Sequence, residues 1–341
     1  MTLLLKNEET VPLLTMNDAI EILDDAYRGY IQGKIINVPY TRLSFPTAKE
    51  GHVWHMFELR AVVPALGVSG IRLASGITDQ RGGAPRRVQM PDAMRIDQIQ
   101  LFDIQTAEPL AILAAEHIQL LRVGANSALG VKYLARDDSE TLGIIGSGRQ
   151  AETQLEAIAL VRPLKRVLLY SRSAENRERF AEQARSRYSF PVEAVNSVEA
   201  LIEQSDIVTA ATSAMSPTFD GSLVRAGTHV NTLNAWQIDE TVVQRSSLFT
   251  TTKSRVYEYL PYGEKWDYKA DSPYWKQWDR VQELERVMVG EIVGRGSADE
   301  ITLFYGDGAG LQFVSLGHRV LTRARERGIG RELPTDWFVG D

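Results

Sequence analysis

The stretch from Thr141 to Ala151, TLGIIGSGRQA, holds the residues of this chain whose spacing most directly specifies chemistry. An apolar run ends in Gly146, Ser147 and Gly148, and Arg149 and Gln150 then open a helical pattern. Gly146 permits a tight turn, Gly148 lets backbone come close to a ligand, and the small Ala151 lets the helix pack tightly on the strand before it. Free N–H groups at the start of such a helix attract an anion, above all a pyrophosphate. The segment therefore predicts the phosphate-binding turn of a dinucleotide site. A second strand at 166–170 and the residues after it decide the cofactor. A site for NAD(H) usually ends this strand in Asp or Glu, about 20 residues past the glycines, to bind the ribose 2′-hydroxyl. Here stand Ser171, Arg172 and Ser173, with no carboxylate to repel a 2′-phosphate and a guanidinium to pair with one. NADP(H) is the preferred expectation, with NAD(H) the alternative if Arg172 is only a solvated loop residue.

The elements that must position this turn follow from the rest of the chain. At 341 residues it exceeds the size at which one core usually stops growing, so two domains are expected. A net charge of −6 argues against nucleic acid or an anionic membrane as partner. No apolar run is long enough to span a bilayer and the N-terminus lacks the form of a signal peptide, which points to the cytoplasm. With no cysteine, and five histidines not spaced as a metal-binding pair, no metal site is expected. Thr15 with Asp18 three residues later announces a helix over 16–33. Between 38 and 103 short β-like runs at 53–59, 70–75 and 98–102 alternate with Gly and Pro turns, predicting a mainly antiparallel sheet. A helix at 116–134 leads into the glycine-rich turn. Alternating β and α segments then follow from 150 to 251, as a parallel sheet requires. A long amphipathic helix is predicted at 308–327. The boundaries expected are residues 1–122 with 314–341 for one domain and 123–313 for the nucleotide domain. The stretch from Tyr257 to Trp278, dense in Tyr and Trp, reads either as an ordered surface excursion or dimer contact, or as a lid over the cleft.

The order of these parts, with LFDIQTAEPLAIL at Leu101 to Leu113, LLRVGANSALGVKYLAR, LGIIGSGRQA, SDIVTAATS and DEITLFYGDGAGLQF at Asp299 to Phe313, resembles the ornithine cyclodeaminase and μ-crystallin family almost end to end. The resemblance implies an α/β fold: a Rossmann-type dinucleotide-binding domain plus a mainly antiparallel α+β domain for substrate binding and dimerisation. It implies a homodimer that exchanges hydride between nicotinamide and an α-amino or α-imino carbon beside a carboxylate. Cofactor contacts are then also expected at Thr212, Ser213 and Leu233. Arg42 in VPYTR and Arg122 in LLRVGA match the arginines that bind the substrate carboxylate, a small-molecule acid, and Met56 in VWHMF matches the methionine of the substrate floor.

Departures from the family pattern narrow the chemistry. Its strand lysine is Arg72 here, and an arginine stays charged and is a poor proton carrier. Its aspartate, in a Gly-Ala-Asp segment, is replaced by Asn234, Ala235 and Trp236, with Asp239 and Glu240 displaced along the chain. Arg72, His55 and Trp236 are the catalytic candidates, and a strand histidine such as His55 is otherwise simply hydrogen-bonded. Cyclising deamination needs several proton transfers, whereas reduction of a preformed imine needs mainly positioning and cationic anchoring. The sequence thus predicts an NADP(H)-dependent imine reductase or amino-acid dehydrogenase. An ornithine-type cyclodeaminase or a catalytically weak NADP(H)-binding protein is the alternative. Arg42, Arg72 and Arg122 together predict a cationic pocket suited to a substrate with more than one acidic group.

Overall fold

The computed structural model describes residues 1–81, 86–88, 91, 93–254, 257–261, 265–266 and 270–340. In chain order the first elements are β1 (Thr2–Leu5), α1 (Asn7–Thr10), α2 (Met16–Ile31), β2 (Ile36–Asn37), β3 (Thr41–Pro46), β4 (His52–Val63), β5 (Val68–Asp79), β6 (Arg86–Arg87), β7 (Ile96–Asp103), β8 (Pro109–Ala114) and α3 (Glu116–Leu134). There follow β9 (Thr141–Ile145), α4 (Arg149–Val161), β10 (Arg166–Tyr170), α5 (Ala174–Arg185), β11 (Val192–Ala194), α6 (Val198–Gln204), β12 (Ile207–Ala210), β13 (His229–Thr232), α7 (Glu240–Arg245) and β14 (Ser246–Thr250). The last are β15 (Tyr257–Tyr259), β16 (Lys265–Trp266), α8 (Pro273–Lys276), β17 (Gln282–Glu283), α9 (Leu284–Met288), β18 (Ile301–Tyr305), α10 (Gly310–Arg327) and β19 (Arg331–Leu333).

The chain divides into two compact units. The first comprises 1–122, 254–268 and 308–341, the second 123–253 and 269–307. The described residues within 254–268 therefore fall in the first unit although the sequence placed them in the nucleotide domain, and the return to the first unit comes at Gly308 rather than 314.

The first unit is built on a mixed sheet with the order β16-β15-β3-β4-β5-β7-β8-β1-β19, antiparallel from β3 through β8. β4 and β5 each run for 12 residues, longer than the apolar runs predicted. Alternation continues past the charged Arg60: Leu59, Ala61 and Val63 are buried while Arg60 points outward. The amphipathic α10 covers the inner face, with Leu311, Phe313, Val314, Val320 and Leu321 buried. It begins at Gly310, two residues later than predicted, because Ala309 is extended and caps it. A side chain at Gly310 would collide with the backbone of Arg60 on β4, so glycine sets how closely helix and strand approach. The helix ends at Gly328, left-handed at φ 62°, where Ile329 N–H reaches back to Ala324 O. α2 starts with the expected reciprocal cap, Thr15 accepting from Asp18 N–H and Asp18 from Thr15 N–H. Asp18 also accepts from Arg323 of α10, whose hydrogen bonds hold its carboxyl well below the usual range.

The second unit is an eight-stranded parallel sheet, order β11-β10-β9-β12-β13-β18-β14-β17. The chain moves outward from β9 to β10 and β11, then returns to the other side of β9 at β12. Such a reversal opens a crevice at the carboxyl ends of β9 and β12, where doubly wound sheets take their ligands. β9 buries Leu142 to Ile145 on both faces, as a strand with helices on either side must. α4 turns Ala151, Leu155 and Ile158 inward. It stops because Arg162 precedes Pro163 and is held extended, at φ −138° and ψ 139°. The aromatic stretch is neither lid nor simple excursion in this part: Tyr274 and Trp275 are buried in the second core, and Tyr274 Oη donates to Phe249 O at 2.6 Å. Residues 262–264 and 267–269 of that stretch lie outside the described residues.

Candidate active site

Four adjacent parallel strands of the second unit, β10, β9, β12 and β13, end in the residues predicted to hold a cofactor. Gly146 has φ 126°, and a Cβ there would be driven into the Ala211 carbonyl oxygen at the end of β12. Only glycine therefore closes the turn. Gly148 caps α4 with an extended backbone, and a Cβ there would meet nothing within 4 Å. The space above it lies at the N-terminus of α4, an end that favours a phosphate, so the residues present fit a dinucleotide. Ser147 Oγ donates to Ser171 Oγ at 3.1 Å, tying the turn to the end of β10. Ser171 in turn donates to Ser173 O, and Ser173 caps α5 through Asn176 N–H. Arg172 between them is exposed and has no hydrogen-bond or ion-pair partner among the described residues. Arg149 is exposed and Gln150 half-buried at the start of α4.

At the end of β12, Thr212 Oγ1 accepts from Ala214 N–H, and Ser213 is exposed. Thr212 is pinned by a residue sequence reasoning missed: Gln237 Nε2 donates to Thr212 O at 2.6 Å. Leu233 follows β13 and packs on the core beneath the crevice. Trp236 is half-buried in a turn closed by Asn234 Oδ1 accepting from its N–H at 3.1 Å. Asp239 does not stand in for the missing aspartate. One of its oxygens caps α7 through Val242 N–H and the other accepts from Gly221 N–H.

The first unit brings Arg42, His55 and Arg72 onto one face of its sheet. Strand register makes Glu258, Arg42, Phe57, Ala74 and Asp97 one continuous row across β15, β3, β4, β5 and β7. The neighbouring row on the same face holds Leu59, Arg72 and Ile99, and the row on the other side Ser44, His55 and Gly76. Arg72 Nε and Nη2 donate to the two Asp97 oxygens, each at 2.8 Å, and Arg95 Nη2 donates to Asp97 at 2.9 Å. The Arg72 guanidinium lies 4.5 Å from the centre of the Phe313 ring, and Arg122 lies 5.5 Å from the same ring. Arg122 Nε donates to Gln119 Oε1 at 3.1 Å.

Around Arg42 the cluster is tighter. Its Nε stands 3.1 Å from Glu258 Oε1 and its Nη2 2.8 Å from His55 Nδ1. Ser44 Oγ donates to Glu258 and lies 2.5 Å from His55 Nδ1, while His55 Nε2 meets Thr78 Oγ1 at 2.7 Å. His55 and Glu258 are both buried. Burial pushes the Glu258 carboxyl up, but hydrogen bonds from His55 and Ser44 and the charge of Arg42 outweigh it and hold it below the usual range.

This arrangement corrects the expectation of a cationic pocket: Arg42 and Arg72 each face a carboxylate of the chain. It also separates Met56 from the arginines. Met56 pairs with Leu43 and Ser75, so alternation turns it to the face opposite Arg42 and His55. Glu258, Asp97, Ser44 and Thr78 carried no sequence signal, since each acquires its place only through strand register. The other histidines lie outside both clusters. Burial, ahead of its other influences, pulls the His229 pKa down to about 3, and His117 Nε2 meets Leu14 O.

The chain is similar over its whole length to enzymes of imino and amino acids. It is 27% identical over 334 residues to a Δ1-pyrroline-2-carboxylate reductase of Bacillus cereus, covering 97% of this chain and 99% of that one. It is likewise 27% identical to the iminosuccinate reductase of Paracoccus denitrificans, covering 97% and 99%. Among solved structures, the Thermococcus litoralis Δ1-pyrroline-2-carboxylate reductase in complex with NADH and L-proline superposes with a TM-score of 0.80. The two are 25% identical, covering 97% of this chain and all of that one. The family model for ornithine cyclodeaminase and mu-crystallin matches residues 2–328, and the chain belongs to that family.

Proposed function

We propose that this protein is a nicotinamide-dependent oxidoreductase that reduces the C–N double bond of a small imino acid, or oxidises the corresponding amino acid, with NADP(H) preferred. The observation that carries the choice among the family's reactions is the Arg72–Asp97 fork. A guanidinium held by two hydrogen bonds at 2.8 Å is fixed in place and always charged, so it does not exchange protons. Asp239 is equally committed, both its oxygens being taken by backbone N–H groups. Cyclising deamination needs a base at more than one step, and neither position supplies one. Reduction of a preformed imine needs a hydride, a proton and a fixed substrate. The nicotinamide supplies the hydride when bound. Arg122 holds the carboxylate, Arg42 being committed to Glu258, and His55, linked to Ser44 and Thr78, is the proton donor proposed on this face.

Preference for NADP(H) rests on Arg172, an exposed cation without a partner among the described residues, where an NAD-binding carboxylate usually stands. A homodimer is supported by the outer face of the first sheet, where Leu43 pairs with Met56 and Phe45 with Trp54. Leu43, Phe45 and Ile96 are 37%, 58% and 44% exposed there, a run of apolar surface that a second copy would cover. Turnover of NADPH and NADH with a panel of cyclic imino acids, and of α-keto acids with ammonia, tests the assignment. Consumption of cofactor with formation of the amino acid is expected. Ammonia released from a diamine without net cofactor change would refute it in favour of cyclodeamination, and cofactor binding without any turnover would leave only a binding protein.

A further inference from the structure

The row Glu258–Arg42–Phe57–Ala74–Asp97 carries a carboxylate at each end. Each takes an arginine of the face: Glu258 stands beside Arg42, and Asp97 grips Arg72. Between the two ion pairs lie Phe57 and Ala74, which are apolar, and the Arg42 guanidinium lies 5.0 Å from the centre of the Phe57 ring. Three arginines and two carboxylates thus bracket an apolar middle, Asp97 being shared by Arg72 and Arg95. A ligand that brought a second carboxylate to this row would have to lie against Glu258 or Asp97, or displace one of them. Displacement is opposed by the packing, since the Glu258 side chain is only 5% exposed and the Asp97 side chain 7%. Like charges in so poorly solvated a place repel strongly.

We propose that Glu258 is a specificity-determining residue: by holding Arg42 it restricts the site to imino acids with one carboxylate and a hydrocarbon remainder, and excludes those with two carboxylates. The inference rests on the function proposed above and names its substrate class. Glu258 reaches this position because β15 pairs in parallel with β3 and puts Glu258 opposite Arg42. Ser44 and His55 fix its orientation, so the carboxylate is a built part of the face rather than a passing surface contact.

The test compares the wild-type protein with Glu258→Gln and Glu258→Asp. The substrates are 1-pyrroline-2-carboxylate and iminosuccinate, the latter formed from oxaloacetate and ammonia, with saturating cofactor. Wild type is expected to favour the monocarboxylate by 100-fold or more in kcat/KM. Glu258→Gln is expected to shrink that preference at least tenfold, chiefly through a lower KM for the dicarboxylate, while Glu258→Asp, which keeps the charge, retains it. An unchanged ratio in Glu258→Gln overturns the proposal. So does a wild-type protein that reduces iminosuccinate as well as the monocarboxylate, a result that does not depend on the variants folding. Thermal shifts with proline and aspartate read binding alone. If the wild-type protein turns over no imine, the function above fails, while stronger stabilisation by proline than by aspartate, reversed in Glu258→Gln, still supports the role of Glu258, and equal stabilisation refutes it.

Discussion

Replacing Arg72 separates a structural from a substrate-binding role, because its partners are fully visible. The Arg72 and Asp97 side chains are 10% and 7% exposed, and two hydrogen bonds of 2.8 Å join them. Removing one member of a buried ion pair typically costs about 3 to 5 kcal/mol, because the other is left charged without compensation. Asp97 keeps a second cation, Arg95, at 2.9 Å, but that side chain is 39% exposed and its contribution is screened. Arg72→Met also removes the charge lying over Phe313, about 0.5 to 1 kcal/mol, while keeping the apolar packing. Together, with about 1 kcal/mol recovered through Arg95, these give about 2.5 to 5 kcal/mol for Arg72→Met, and a similar loss for Asp97→Asn. Their combination should cost less than the sum by roughly 1.5 to 3 kcal/mol, since the second change removes the group that the first left exposed to the penalty. Thermal unfolding reads this as a fall of roughly 5 to 15 °C in the transition of the first unit. Two compact units make two transitions possible, so each is fitted separately. The reasoning fails if Arg72→Met melts within about 1 kcal/mol of wild type and instead raises KM by a hundredfold. That result would mean that Arg72 serves the substrate and that its fork with Asp97 is dispensable.

Gly148→Val is expected to abolish cofactor binding, measured by quenching of intrinsic fluorescence, with no loss of folded structure, because its side chain fills the cradle rather than touching protein. Gly146→Ala is expected to destabilise the second unit itself, since φ 126° and the Ala211 carbonyl leave no room for a Cβ; a stable variant would show that the turn tolerates another path. Arg172→Ala should weaken NADPH by about 1 to 3 kcal/mol and leave NADH unchanged, and equal losses for both would remove the case for the phosphorylated cofactor. Glu285 is buried beside Thr252 N–H, and burial pushes its pKa up to about 8. The native state therefore holds a proton that the unfolded state gives up above the usual carboxylate range, so stability falls as pH rises from about 4.5 to 8 and then levels. Glu285→Gln should flatten that fall, gaining on the order of 3 kcal/mol over wild type at pH 8 and little at pH 5; parallel stability curves would show that Glu285 is charged in the native state.

What the sequence could reveal of this protein was set by how local each signal is. The turn at Gly146–Gly148, the cap at Thr15 and Asp18, and the stop of α4 before Pro163 depend on a few neighbouring residues, so each leaves a pattern in the chain. The same holds for the long helices, whose apolar stripes repeat locally. Strand register does not. Nothing near Glu258 in sequence indicates that it will lie beside Arg42, more than two hundred positions earlier, and nothing near Arg72 indicates Asp97. Three arginines counted along a chain therefore predict a strongly cationic pocket, whereas strand register brings a carboxylate beside two of them, Arg42 and Arg72, and offsets their charges. Met56 shows the same limit in its simplest form, since moving one position along β4 exchanges the face of Arg42 and His55 for the face of Leu43 and Phe45. The specificity of a site on an antiparallel sheet is written across strands, and the charge a substrate must carry follows from the row as a whole: its cations less the anions that the sheet has already brought to them.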